Sequence, residues 1–90
     1  MVDIFVIMVY DFNEKRVAKV LKIGRKYLKW IQNSLLEGEL TKAKFEKLKM
    51  EVEKIMDKKE DTVRFYILRT KKFLEIENIG VEKGETSFFL

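Results

Sequence analysis

Apolar and polar positions follow two different periods along this chain, and the changes of period mark its elements. Residues 4–10, IFVIMVY, form an unbroken apolar run rich in β-branched and aromatic side chains. So short and continuous a run predicts a strand covered on both faces, hence one central in its sheet. Over residues 14–29 the period becomes helical, with Val17, Val20, Leu21, Gly24 and Leu28 on one side and lysines between them. Residues 30–40, WIQNSLLEGEL, favour β structure but are broken at Asn33-Ser34 and Gly38, which predicts a bent or bulged strand or two short strands. Thr41 stands where a helix cap belongs, and Phe45, Leu48, Val52, Ile55 and Met56 then line one side of a second helix ending near Met56. Residues 62–70, TVRFYILRT, read as a strand, with 73–77, FLEIE, as its partner. The apolar end, TSFFL at 86–90, is suited to add to an open sheet edge, either its own or a partner's.

Strand, helix, strand or strands, helix, strand, strand is the order of a single α+β domain. Two helices on one face of a mostly antiparallel sheet make a ferredoxin-like two-layer sandwich, βαββαβ with an extra C-terminal strand. That layout leaves the other sheet face uncovered. Apolar groups there predict a symmetric homodimer with sheets facing one another.

Composition narrows the chemistry. Ninety residues make one small domain, with 47% apolar and 38% charged residues and no proline. There is no cysteine and no histidine, which excludes disulfides, thiolate or imidazole metal sites and imidazole acid-base catalysis. Catalysis would have to use carboxylates, a tyrosine, lysines, hydroxyls or a hard metal bound through oxygen. The N-terminal apolar run is too short to span a bilayer and carries Asp3 where a signal peptide would want positive charge, so the expectation is a cytoplasmic protein with no membrane partner. The net charge of +4 is unevenly spread. Residues 14–29 carry seven basic groups (Lys15, Arg16, Lys19, Lys22, Arg25, Lys26, Lys29) against one acid, a net +6, while the remaining residues hold twelve basic and fourteen acidic groups, a net −2. Such a segment is either a solvated helix face or the footprint of a phosphate-binding one.

Asp11 has two readings. Asp11-x-x-Glu14 matches a capping box, with an acid where the helix dipole favours it. Alternatively, a carboxylate at the end of a central strand projects from the sheet edge, and in a twofold dimer two copies meet to hold one Mg²⁺, which takes one or two carboxylates and keeps several waters. The ion would then activate water for phosphodiester hydrolysis without histidine. Tyr10 points to the opposite strand face, as a core or interface aromatic. Arg16 and Arg25 suit bidentate phosphate contacts, together with Lys15, Lys19 and Lys26. Trp30, Phe12 and Tyr27 either stack on bases or fill the core. Asn33 and Ser34 either orient a phosphate or satisfy the backbone at a bulge.

The stretch VIMVYDFNEKRVAKVLKIGRKYLKWIQNSLLEGEL resembles the second of the two core CRISPR-associated proteins, the Cas-two (Cas2) family. The likeness lies in a strand ending in Tyr10-Asp11, the basic helix, Gln32-x-Ser34 and Glu37-Gly38, and it extends over essentially the whole chain. It implies a ferredoxin-like homodimer with Asp11 near the twofold axis binding Mg²⁺, and Tyr10 and Arg16 at positions tied to activity. It also implies a role in acquiring new spacers: the dimer bridges two copies of the Cas-one (Cas1) integrase and supports the incoming double-stranded DNA. Some members are described as metal-dependent endonucleases on single-stranded RNA or duplex DNA. Trp30 and Leu36 depart from the family pattern, where a basic residue and a phenylalanine are common. Three functions follow: a DNA-binding structural subunit, a metal-dependent nuclease, and, by fold analogy alone, a metabolite-binding regulatory domain.

Overall fold

The computed structural model describes residues 3–80. Its elements run β1 (Asp3–Asp11), α1 (Val17–Arg25), β2 (Lys29–Gln32), β3 (Leu35–Thr41), α2 (Lys42–Ile55) and β4 (Thr62–Leu68). The strands pair antiparallel throughout, in the order β2-β3-β1-β4. This is the expected ferredoxin-like βαββαβ arrangement, with β1 inside the sheet.

Strand alternation divides β1 between two environments. Ile4, Val6, Met8 and Tyr10 belong to the core that Val20 of α1, Leu36 and Leu40 of β3, and Phe45, Leu48 and Val52 of α2 complete. Gly24 lets α1 lie close on the sheet, because a Cβ there would stand 2.9 Å from the buried Leu36 Cδ2. An edge-to-face contact between Phe45 and Phe65, centroids 5.2 Å apart, fastens α2 to β4. The opposite face of β1 carries Phe5, Ile7, Val9 and Asp11. Its cross-strand neighbours are Leu35, Glu37 and Glu39 on β3 and Thr62, Arg64, Tyr66 and Leu68 on β4. No element of the described chain covers this face, and Val9 and Tyr66 are exposed on it.

Four local features differ from the expected pattern or sharpen it. The segment 30–40 resolves into two strands joined at Asn33-Ser34, where Asn33 adopts a left-handed φ of 39° and β2 carries an irregularity between Trp30 and Gln32. The basic segment 14–29 is not one helix: turns precede Val17 and follow Arg25, and Lys29 already belongs to β2. Buried Leu28 explains that early end, since the chain must leave the helix to seat it in the core. Residues 73–77 form no strand; Phe73 is 83% exposed, and the outer edge of β4 has no partner within the described chain. A strand without a ladder partner leaves its N–H and C=O groups to water, so composition alone does not create it. The expected terminal strand at 86–90 lies outside the described residues.

Candidate functional site

Asp11 is the last residue of β1, exposed, with Thr62 as its ladder partner. It does not cap α1. The N-cap is Arg16, which makes no side-chain capping bond. The capping-box spacing misleads because Phe12 is drawn into the core and Asn13 organises the turn, its Oδ1 accepting from Lys15 N at 2.9 Å and its carbonyl from Arg16 N at 2.8 Å. Asp11 is thus held between two buried aromatics, Tyr10 and Phe12, whose rings meet edge to face at 5.8 Å. Among the described residues it has no ion-pair partner, and no group of three or more acids gathers around a common point. One chain therefore supplies a single hard oxygen donor, which suits Mg²⁺ only where waters, substrate phosphate or a second carboxylate complete the shell.

Tyr10 is 4% exposed, and its hydroxyl donates to the Asn33 carbonyl at 3.4 Å. Burial pushes its phenol upward, so it stays protonated and donating. Trp30 Nε1 donates to the same carbonyl at 3.1 Å, and Tyr10 N donates to the Ser34 carbonyl at 3.2 Å. The left-handed turn at Asn33 is fastened to the end of β1 by these bonds. Ser34 is half-buried beside Asp11's strand, and the Tyr10 hydroxyl is committed to the turn carbonyl within the core.

Arg16 is committed as well. Its Nε donates to Asp61 Oδ2 at 2.6 Å, and one terminal nitrogen donates to Asp61 Oδ1 at 3.1 Å and to Glu60 Oε1 at 2.8 Å. Asp61 also accepts from the backbone N–H of Asn13 and of Asp57, each at 2.8 Å, and its side chain is fully buried. Arg16's hydrogen bonds, backed by the two N–H groups, hold the Asp61 carboxyl well below the usual carboxylate range, and Asp61 and Glu60 raise the Arg16 guanidinium in return. Sequence reasoning missed Asp61. It is one acid in the charged run DKKED, and only its burial sets it apart.

The remaining basic residues separate into two groups. Lys15, Lys19 and Lys22 are exposed or half-exposed and have no ion pair among the described residues. Lys26 is engaged by Glu51, which also accepts from the Tyr27 hydroxyl; Lys26 and then Tyr27 lower the Glu51 carboxyl. Arg25 lies over the Trp30 ring, 5.5 Å from its centroid. The basic face that survives is therefore the first part of α1 and the turn before it.

Comparison with known proteins follows the same lines. Residues 4–76 match the family model described as CRISPR associated protein Cas2. The chain is 64% identical over 84 residues to a CRISPR-associated endoribonuclease Cas2 of Thermotoga maritima, covering 93% of this chain and 97% of that one. It is 58% identical over 81 residues to the protein of that name from Dictyoglomus turgidum, covering 90% and 93%. Among solved structures it is similar to a Cas2 crystal structure at 40% identity and TM-score 0.82, over 90% of this chain and 91% of that one. The Streptococcus pyogenes Cas2 structure at pH 6.5 is 34% identical with TM-score 0.75, over 84% and 99%. Within the described residues no helix is long and apolar enough to cross a membrane.

Proposed function

This chain belongs to the CRISPR-associated Cas2 family, and we propose that it serves spacer acquisition as a twofold dimer that holds double-stranded DNA without reading its sequence and bridges copies of the Cas1 integrase. The observation that carries this reading is the basic face. Lys15, Lys19 and Lys22 reach solvent, α1 contains no acid, and no acid of the described chain pairs with these lysines. Phosphate neutralisation by such a face is sequence-independent and releases counterions. The open sheet face of Phe5, Ile7, Val9, Leu35, Tyr66 and Leu68 supports self-association, since an apolar patch of this kind is stable only when covered.

Asp11 supports a second activity, Mg²⁺-dependent cleavage of a phosphodiester, and the relatives' name, endoribonuclease, directs it toward single-stranded RNA as well as duplex DNA. Asp11 of each chain would hold the ion, which supplies the Lewis acidity that makes water a competent nucleophile at neutral pH. The chain's own part is positional. Tyr10 and Phe12 anchor the backbone on either side of Asp11, and Lys15 and Lys19 attract the phosphate chain toward it.

One set of assays tests both activities. Lys19→Glu with Lys22→Glu should weaken duplex binding and lower the slope of log affinity against log salt by about 2, one for each lost phosphate contact. An unchanged slope would sink the scaffold reading. Asp11→Ala should abolish Mg²⁺-dependent cleavage of RNA and DNA while dimer and duplex affinity persist; cleavage indifferent to that substitution or to EDTA would overturn the metal site.

A further inference from the structure

We propose that Asp61 and Arg16 form a positioning pair that fixes the turn after β1, and with it the carboxylate of Asp11, for cation binding, and that neither touches nucleic acid. The proposal rests on the reading of Asp11 as the metal ligand.

The geometry is that of a clamp closed over both ends of one turn. Asp61 takes the N–H of Asn13, two residues beyond Asp11, at 2.8 Å. It takes Arg16, the N-cap of α1, through Nε at 2.6 Å and a terminal nitrogen at 3.1 Å. Its own chain neighbour, Thr62, is the ladder partner of Asp11. One buried carboxylate therefore ties the strand end that bears Asp11, the start of the basic helix and the loop entering β4. A bond from Asp57 N at 2.8 Å fixes that loop in turn. Side chains bound to a ligand's surroundings set its orientation, and losing such partners typically lowers metal affinity by about 10- to 100-fold.

Arg16 is the residue on which two explanations of the same site diverge. As a phosphate contact it would need its fork free, yet Nε and one terminal nitrogen are spent on Asp61 and Glu60. As a positioning residue it acts through Asp61, and the two must then behave alike when substituted.

The test is an NMR titration with Mn²⁺ alone, in which paramagnetic broadening locates and measures the bound ion, run beside duplex binding and amide exchange at Asn13. In the wild-type protein broadening should centre on residues around Asp11 and vanish in Asp11→Ala. Asp61→Asn and Arg16→Gln should each raise the Mn²⁺ concentration required by about tenfold or more. The double variant should be no worse than either single one, Asn13 should lose exchange protection, and duplex affinity should stay within about twofold of wild type. Arg16→Lys keeps the charge without the fork and carries the same test if Asp61→Asn does not fold. Unchanged Mn²⁺ affinity in variants whose Asn13 amide has lost protection would overturn the proposal. So would Arg16→Gln weakening duplex binding while Asp61→Asn leaves it intact or strengthens it, because Arg16 would then be a phosphate contact. Wild-type broadening away from Asp11, or broadening that survives Asp11→Ala, would defeat the metal reading itself and the pair's role with it.

Discussion

Tyr10 and Asp11 are chain neighbours with opposite surroundings, because successive strand residues point to opposite faces. Tyr10 goes inward to the Asn33 carbonyl and Asp11 outward to the open face. The tyrosine hydroxyl is thereby spent on the fold. Tyr10→Phe should cost only about 1 kcal/mol, since Trp30 Nε1 still donates to the same carbonyl. Urea denaturation measures that cost, and cleavage and duplex affinity should match wild type. A large loss of cleavage with stability retained would instead make the hydroxyl a catalytic group. Strand periodicity by itself makes the division between the two residues legible in the sequence. The commitment of the hydroxyl to one distant carbonyl is not legible there, because it depends on where the β2–β3 turn lands.

At the scale of elements, local signals that involve only near neighbours were readable. Thr41 caps α2 as its position predicts, its Oγ1 accepting from Lys44 N at 3.2 Å, and Phe45, Leu48 and Val52 face the core at helical spacing. The β1–α1 turn was misread because its organising group is remote: Asp61 lies 48 positions from the Asn13 whose N–H it takes. A capping box is a local pattern, and a buried carboxylate arriving from another loop overrides it. The same group dictates a pH response. Folding holds the Asp61 carboxyl below its ordinary value, so its contribution is fully present above the unfolded aspartate pKa, about 4, and is lost progressively as pH falls below that toward the folded value. Thermal midpoints measured from pH 7 downward should stay level to about pH 4 and then fall, with the fall shallower in Asp61→Asn than in wild type. Equal slopes below about pH 4 would show that other carboxylates govern the acid limb.

For the whole molecule, the open sheet face decides what a single chain can and cannot do. Phe5, Ile7 and Val9 alternate with the buried side of β1, so the face was predictable from residues 4–10 alone; the missing strand at 73–77 was not, because its formation depends on an edge partner that the described chain does not supply. Ile7 sits at the centre of the face, between Glu37 of β3 and Tyr66 of β4. Ile7→Lys should leave the isolated chain folded, since position 7 is only half-buried and a lysine there gains Glu37 as a neighbour. In a dimer with sheets facing, the same ammonium would have to leave water between two apolar surfaces, which costs several kcal/mol and, at about 1.4 kcal/mol per tenfold, should weaken self-association by about two orders of magnitude or more. Sedimentation equilibrium measures that shift directly. If Asp11 becomes a cation site only when a second copy brings its own carboxylate, Mn²⁺ affinity should fall together with dimerisation in Ile7→Lys, although the substitution lies four residues from Asp11 along the strand. A variant that remains dimeric would place the interface elsewhere, and one that is monomeric yet binds Mn²⁺ as wild type does would show that one carboxylate with water suffices.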